Sequence, residues 1–328
     1  MRVTIKDIAN YCGVSEGTVD RALHNRPGIG AETKAKILQA VKELNYKPDL
    51  MARGLAKGKT MTIGVVLFDL YNRSFAQIME AVEVKSREYG YFVHLVLTDK
   101  DRLKEKKYIE HLVSRKVDGM ILMTVNHEKS FDSYLKNLNI PIVTIYNRVS
   151  DDWPYVGIDD RRAMKDAVRY IGGKGYEKIV YICPPLRHRG NRNIYTQEER
   201  LNGCLEGIQE FGIKDGPVII QDKHYVESLK KIDLRQTKTA ILCACDIYAL
   251  EVMNFLKSEG YRIPQDVGVM GFDNIDVLKY VSPALTTVEY CVEEIGSRAT
   301  ECLVNRLEGR AYPQVMLLDY KIVEGESI

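Results

Sequence analysis

Residues 4–25 read TIKDIANYCGVSEGTVDRALHN, and their apolar and small residues fall at the spacing of two short helices joined by a glycine turn. Thr4 and Asp7 stand three residues apart, as in a capping box at the start of a helix. Gly13 can supply the positive φ that ends this helix, and Ser15 can cap the next one. Two interpretations follow from the pattern alone: an ordinary pair of core helices, or a helix-turn-helix whose second helix enters the major groove of DNA.

The distribution of charge favours the DNA interpretation. The first 60 residues carry eleven Lys and Arg against six Asp and Glu, whereas the remainder carries 36 against 39. A nearly neutral chain that concentrates positive charge beside such a motif has an electrostatic footprint for phosphate. We therefore predict a DNA-binding headpiece over residues 1–48, a hinge helix and linker over 49–60, and a domain with a different task over 61–328.

Length and composition limit what that remaining domain can be. With 328 residues, of which 45% are hydrophobic, the chain can bury a large core and form two or three domains. The sequence shows neither a signal-peptide run nor about 20 unbroken apolar residues, so we expect a cytoplasmic protein with no membrane contact. The seven cysteines are scattered, and Cys243 and Cys245 lack a second pair at zinc spacing, so we expect reduced thiols, no metal and no cofactor.

From residue 61 onward the sequence alternates between short β-branched runs and segments of helical period. The strand-like runs are 63–68, 91–97, 119–123, 141–145, 178–182, 218–220, 240–243, 267–272 and 315–319. This alternation predicts an α/β fold with parallel sheets, and the number of strands suits two doubly wound lobes. We expect one lobe over about 61–159 plus 292–319 and the other over about 160–291 plus 320–328, with a ligand cleft where the strands end.

Several blocks of sequence, in order, resemble the LacI/GalR family of bacterial transcriptional regulators across essentially the whole chain. They are VTIKDIANYCGVSEGTVDRALH from residue 3, LNYKP from 44, ARGLAKGKTMTIGVV from 52, ERLNGCLEGI from 199, ACDIYALEVM from 244, VGVMGFDN from 267 and SPALTTV from 282. The resemblance implies an N-terminal helix-turn-helix, a hinge helix and a two-lobed core similar to periplasmic sugar-binding proteins. It also implies a homodimer on double-stranded operator DNA, acting as a repressor whose affinity is controlled by a small sugar or sugar derivative.

Carried over residue by residue, the family's DNA contacts fall on the headpiece and the hinge. They are Ser15, Glu16, Gly17, Thr18, Arg21, His24, Thr33, Ala52 and Leu55. Arg21 can contact guanine in a bidentate way, and Glu16 can accept from a cytosine amine. The resemblance implies that Leu55 wedges into a minor-groove step, although it could also be a linker residue that packs on the core.

Three positions depart from the family pattern. Gly17 offers no side chain to a base, and Gly30 replaces the usual serine cap of the third helix. Asp20 stands where a serine usually faces phosphate, so it should repel DNA unless it pairs with a neighbouring arginine or accepts from a base amine.

The family's effector contacts fall mainly on loops that follow predicted strands. They are Asn72, Phe75, Asn147, Arg200, Asp246, Asp273 and Tyr290, and the nearby aromatic Tyr195 is a further candidate. Carboxylates and guanidinium groups exchange hydrogen bonds with hydroxyls, and aromatic rings cover the apolar face of a sugar. Local alternatives remain, because Asp246 and Asp273 could cap the helices after them and Arg200 could pair with Glu198 or Glu199.

The loop before Arg200 suggests the charge of the effector. Residues 183–195 read CPPLRHRGNRNIY and add Arg187, Arg189 and Arg192, whose guanidinium groups suit a carboxylate or phosphate. We therefore predict an anionic effector such as a uronate or sugar phosphate. A neutral sugar, with a solvated loop, remains the alternative.

Two other functional classes deserve comparison. A periplasmic sugar-binding protein would share the core but would not need residues 1–60. The run from Gly54 to Thr60 resembles a P-loop and suggests a cytosolic sugar-metabolising protein that uses a nucleotide, but only three residues separate Gly54 from Gly58, where a P-loop has four. No set of nucleophile, base and orienting residue stands out, so we do not expect an enzyme.

Overall fold

The computed structural model describes residues 3–46, 58–186, 193–213 and 215–328. The chain divides into two compact units, residues 1–60 and residues 61–328. Within the described residues, no helix is both long and apolar enough to cross a membrane.

Three helices form the described part of the first unit: α1 over Ile5–Cys12, α2 over Glu16–Leu23 and α3 over Ala31–Glu43. They enclose a small core of Ile8, Ala9, Cys12, Val19, Ala22, Ile37 and Ala40. The small side chain of Ala9 is nearly fully buried, which lets the neighbouring helices approach α1.

Local capping fixes the ends of these helices as the sequence predicts. Thr4 accepts from the Asp7 N–H, and the Asp7 carboxylate accepts from the Thr4 N–H at 2.8 Å, which completes the capping box. Gly13 ends α1 at φ 67°, a left-handed conformation that favours glycine. Ser15 Oγ then accepts from the Thr18 N–H at 3.2 Å and starts α2. The helix-turn-helix prediction is thereby confirmed at the level of individual hydrogen bonds.

The second unit contains two lobes, each with a six-stranded sheet. The first sheet is wholly parallel and has the strand order β11-β5-β4-β3-β1-β2. Its strands are β1 (Thr62–Leu67), β2 (Phe92–Leu97), β3 (Gly119–Leu122), β4 (Ile142–Ile145), β5 (Tyr155–Ile158) and β11 (Val315–Leu318). Its helices are α4 (Arg73–Glu88), α5 (Arg102–Ser114), α6 (Lys129–Asn137) and α11 (Val292–Leu307). Helix α11 packs closely on α4 because Gly296 has no side chain; a Cβ there would lie 2.5 Å from the carbonyl oxygen of Ile78.

The second sheet has the order β12-β10-β9-β8-β6-β7. Its strands are β6 (Lys178–Ile182), β7 (Asp215–Ile220), β8 (Thr239–Cys243), β9 (Gly268–Asp273), β10 (Thr286–Glu289) and β12 (Lys321–Val323). Its helices are α7 (Asp160–Gly173), α8 (Tyr195–Phe211), α9 (Tyr225–Leu229) and α10 (Asp246–Ser258). Strand β12 runs antiparallel to β10, so the predicted parallel pattern does not extend to this edge strand. Only two residues connect β11 to β12, whereas a parallel crossover needs a dozen or more.

The chain passes between the lobes at three described connections, which are residue 159, residues 290–291 and residues 319–320. Strands β5, β10 and β12 flank these connections, and the sequence did not predict them. None of the three directly follows an α-helix, so the strand–helix alternation that predicted the other strands does not mark them.

Candidate functional site

A cavity of about 480 Å³ lies between the two lobes, where loops from the carboxyl ends of both sheets converge. Its lining includes Phe68, Asp69, Asn72, Phe75, Lys100, Tyr146, Asn147, Arg200, Asp222, Lys223, Tyr225, Cys245, Tyr248 and Asp273. The position agrees with the general rule that parallel sheets bind ligands beyond their strand ends.

A buried ion network forms one end of the cavity. Arg200 is only 2% exposed, and its guanidinium lies between two carboxylates. Nε donates to Asp160 at 2.8 Å, and Nη1 donates to Asp273 at 3.4 Å. Glu199 instead pairs with Arg161 at 2.8 Å, so Arg200 is not held by its sequence neighbour. Nη2 of Arg200 has no hydrogen-bond partner among the described residues, which leaves a buried donor for a ligand.

Asp273 supplies an acceptor beside that donor. Its Oδ1 accepts from Arg200 and, at 2.7 Å, from the hydroxyl of Tyr290, while Oδ2 has no partner in the described part of the chain. Asp273 therefore does not serve mainly as a helix cap. Burial raises the pKa of Asp273 to about 7, although the neighbouring Arg200 opposes the shift. Its φ of 119° is unusual for a residue with a side chain and marks local strain at the cavity.

Tyr290 lies behind the cavity wall. Its hydroxyl donates to Asp273 and lies 2.7 Å from the hydroxyl of Tyr146, which belongs to the other lobe and does line the cavity. Tyr290 is 1% exposed. We therefore reassign Tyr290 from ligand contact to support of Asp273 and Tyr146.

Asp246 also lies outside the cavity lining. Its Oδ1 accepts from the Thr287 hydroxyl at 2.6 Å and its Oδ2 from the Ile275 N–H at 2.9 Å, so both oxygens join loops of the second lobe. Helix α10 has Cys245 at its N-cap, and Asp246 does not cap it. The prediction of ligand contact is corrected: both carboxylate oxygens of Asp246 are already bonded within the protein.

Asn147 lines the cavity, but its polar atoms tie the lobes together. Nδ2 donates to the carbonyl oxygens of Thr124 at 3.1 Å and Asn193 at 2.9 Å, and Oδ1 accepts from the Thr196 N–H at 3.4 Å. The side chain has little remaining capacity to bind a ligand.

Tyr195 begins α8 and does not line the cavity; its ring lies 5.2 Å from the guanidinium of Arg148. Arg148 also lies over the ring of Tyr155 at 4.3 Å. Arg187, Arg189 and Arg192 lie outside the described residues. The three-arginine segment on which the anionic effector was predicted therefore has no structural description.

Asn72 and Phe75 both line the cavity, and their contact with an effector stays a prediction. Asn72 caps α4, with Oδ1 accepting from the Ser74 N–H at 3.2 Å. Sequence reasoning missed two further lining residues, Phe68 and Tyr146, which immediately follow β1 and β4. Applying the strand-end rule to every aromatic residue would have found both.

The charges that line the cavity are balanced among the residues that the structure describes. The cations are Lys100, Arg200 and Lys223, and the carboxylates are Asp69, Asp222 and Asp273. In the same described ranges, no group of three or more His, Cys, Asp or Glu side chains is arranged to hold a metal ion.

In the headpiece, α2 together with its two capping residues carries six of the nine predicted DNA contacts. Glu16, Gly17 and Arg21 are exposed on it, and Ser15 and Thr18 form its capped start. Thr33 lies in the first turns of α3. Ala52 and Leu55 lie outside the described residues.

Asp20 is paired rather than free. Its carboxylate lies 3.3 Å from Arg26 and 3.0 Å from His24 Nδ1, which also contacts the Asp20 carbonyl oxygen at 2.8 Å. The neighbouring arginine that could relieve repulsion from DNA is therefore Arg26. His24, a predicted DNA contact, is half-buried at the end of α2 and is held by Asp20.

Comparisons with known proteins agree with both units. Residues 4–49 match the model of the bacterial regulatory proteins of the lacI family, and residues 168–328 match a periplasmic binding protein-like domain. The HTH-type transcriptional regulator RegA of Clostridium acetobutylicum is 36% identical, with 100% of this chain and 99% of that protein covered. The ribose operon repressor of Halalkalibacterium halodurans is 31% identical, with 93% and 90% covered. The structure of the Lac repressor dimer bound to operator superposes with a TM-score of 0.85 over 100% of this chain and 99% of that chain; at 22% identity it supports the fold alone.

Proposed function

Because this chain belongs to the lacI family of bacterial regulatory proteins and is a DNA-binding transcriptional regulator, we propose that it is a repressor controlled by a neutral sugar in the cavity. The named relatives are regulators and not enzymes, and we propose no catalytic activity for this chain. Its place of action would be the cytoplasm, where operator DNA is found.

The observation that carries the sugar proposal is the pairing of a free donor with a free acceptor at a buried position. Arg200 Nη2 and Asp273 Oδ2 belong to one network, and neither has a partner among the described residues. A hydroxyl can donate and accept at the same time, so a hydroxyl of a sugar satisfies both groups. Leaving them unpaired in a ligand-filled cavity would cost free energy.

The balance of charge decides between a neutral and an anionic ligand. Arg200 is already compensated by Asp160 and Asp273, so it offers a hydrogen bond and little net positive charge. The described cavity as a whole has three cations and three carboxylates. We therefore favour the neutral sugar over the uronate or sugar phosphate that the sequence suggested.

For DNA binding we propose the contacts implied by the family. Arg21 would read a guanine and Glu16 a cytosine, Ser15, Thr18 and Thr33 would hold phosphates, and a dimer would place two such helices in successive major grooves. The wedge by Leu55, beside Ala52, remains part of this proposal. Binding to operator would weaken with salt because phosphate neutralisation releases counterions.

Calorimetry on the full chain tests the ligand. Glucose, galactose and ribose would be compared with glucuronate, galacturonate and ribose 5-phosphate, and cellobiose would be included as a neutral sugar with two rings. We expect a neutral member to bind more tightly, and Asp273→Asn to weaken its binding at least tenfold. Asp266→Asn is the matched control, because Asp266 pairs with Arg262 at 2.7 Å and does not line the cavity.

The bound sugar should also change the retention of selected genomic operator fragments in a gel-shift assay. Tighter binding of the anionic members would contradict the proposal of a neutral ligand. Sugar binding that Asp273→Asn leaves unchanged would show that the sugar does not bind at Asp273.

The pH dependence of the same titration is an additional check. A hydroxyl donates best to an ionised carboxylate, and burial raises the pKa of Asp273 to about 7. Affinity should therefore rise between pH 6 and pH 8, by about tenfold at most for a single proton. Asp160 and Arg200 border the same group, so Asp273→Asn is needed to assign the effect and should flatten it.

A further inference from the structure

Three aromatic rings form a row along the wall that the first lobe gives to the cavity. Phe68 and Phe75 lie 6.1 Å apart between ring centroids, and Phe75 and Tyr146 lie 5.7 Å apart. Both pairs meet edge to face, and all three residues line the cavity. Phe75 therefore contacts both other rings, and we call the three residues the aromatic row, with Phe68 and Tyr146 as its ends.

A polar pair stands at each end of the aromatic row. At the Tyr146 end, the hydroxyl of Tyr146 reaches Asp273 and Arg200 through Tyr290. At the Phe68 end, Lys100 Nζ lies 5.9 Å from the ring centroid of Phe68.

Asp69 completes the pair at the Phe68 end. Its Oδ1 accepts from the N–H groups of Tyr71 and Asn72, while Oδ2 lies 3.8 Å from Lys100 Nζ, too far for a hydrogen bond. Each end of the row therefore presents one donor and one acceptor that a hydroxyl could bridge.

The second lobe offers aromatic surface across the cavity. Tyr225 and Tyr248 line it with their ring centroids 5.1 Å apart. The hydroxyl of Tyr225 donates to Glu251, so its proton is already used within the protein. Both lobes thus bring rings to the cavity, and the free donor and acceptor pairs lie at the two ends of the row.

We propose that the ligand is an uncharged saccharide of two linked rings. One ring would bond to Arg200 and Asp273, and the second would lie against Phe68 with its hydroxyls on Asp69 and Lys100. A pyranose has apolar C–H faces and a rim of hydroxyls, so two linked rings match an aromatic row with polar groups at both ends. A single ring would occupy one end and would not reach Asp69 and Lys100 at the other. This inference rests on the proposed sugar-binding function and specifies its ligand.

Calorimetry of the full chain separates the two cases. Cellobiose, maltose, lactose and sucrose would each be titrated beside their component monosaccharides, glucose, galactose and fructose. We expect at least one disaccharide to bind ten or more times more tightly than either of its components.

Phe68→Ala should remove that advantage, lowering disaccharide affinity by a larger factor than monosaccharide affinity. Phe92→Ala is the matched control, since Phe92 lies on the same lobe, is 65% exposed and does not line the cavity. Asp69→Asn is a milder variant that keeps the oxygen accepting from Tyr71 and Asn72, and it should also reduce the disaccharide advantage.

The possible outcomes distinguish this inference from the proposed function. A monosaccharide that binds as tightly as any disaccharide, and is lost in Asp273→Asn, would overturn the two-ring ligand and leave the sugar site intact. A disaccharide advantage that survives both Phe68→Ala and Asp69→Asn would also overturn it. No binding by any sugar in either panel would overturn the proposed function together with this inference.

Discussion

The headpiece and the core use the same guanidinium group in opposite surroundings. Arg21 is exposed on α2 and forms no ion pair with any residue in the described ranges, so its full donor set is open to DNA. Arg200 is buried between Asp160 and Asp273, and only one of its nitrogens lacks a partner there. A surface cation can therefore change binding with little effect on folding, whereas the buried cation supports the fold and the site together.

The largest change in the free energy of unfolding should come from removing the buried arginine. Arg200→Met would leave Asp160 and Asp273 buried without their counterion, and removing one member of such a network destabilises by about 3–5 kcal/mol. Chemical denaturation of the full chain, followed by circular dichroism, should show the corresponding fall in the free energy of unfolding. The loss should shrink in acid, because burial raises the pKa values of both carboxylates and protonation removes the stranded charges.

Arg262→Met is the control for that experiment. Arg262 is 74% exposed and pairs with Asp266 at 2.7 Å, an ion pair at the surface. Such pairs contribute about 0–1 kcal/mol. Equal losses for the two variants would show that burial does not distinguish them.

A smaller effect, on operator affinity, is expected from removing the exposed arginine of the headpiece. Arg21→Ala should reduce operator affinity by about 1–3 kcal/mol and relax selection at one base of each half-site, because a bidentate contact to guanine would be lost. The free energy of unfolding should stay unchanged. Gel-shift titrations on selected operators, with every base varied at that position, would measure the effect.

Arg310→Ala provides a matched control, since it removes an exposed arginine from the second unit, away from the DNA-binding headpiece. If Arg21→Ala weakens binding to every operator sequence by the same factor, Arg21 contacts phosphate and reads no base.

The features that could be predicted from sequence are those that depend on contacts between residues close together in the chain. The capping box of Thr4 and Asp7, the turn at Gly13 and the cap at Ser15 involve residues at most five apart, and each was predicted correctly. The apolar runs that alternate with helical segments also predicted their strands, because that alternation is visible in the local sequence. Strand β10 (Thr286–Glu289) is held by contacts with distant strands, and its short sequence gave no such signal.

The site shows the limit of this reasoning most clearly. Sequence position identified the loop after β8, but neighbouring residues there point to different surroundings. Cys245 lines the cavity, while Asp246 binds Thr287 and Ile275 within the lobe. Likewise Asn147 reaches the cavity, yet its hydrogen bonds with Asn193 and Thr196 depend on how the lobes meet. Such partners are far apart in sequence, so only the folded structure reveals them.

The smallest effect should come from Asp20→Ser, which tests whether charge pairing on the headpiece surface tunes DNA binding without affecting the fold. Asp20 and Arg26 are 38% and 58% exposed and 3.3 Å apart, so losing the pair should change the free energy of unfolding by less than about 1 kcal/mol. Removing a negative charge near phosphate and releasing Arg26 should strengthen operator binding several-fold at low salt. The gain should fade as salt rises, because screening weakens exposed charges. Gel shifts at low and high salt would decide this, with Glu43→Gln on α3 as the control for simple loss of a headpiece carboxylate. If Asp20→Ser instead weakens binding by the same factor at both salt concentrations, Asp20 accepts a hydrogen bond from a base, and its pairing with Arg26 gives way on DNA.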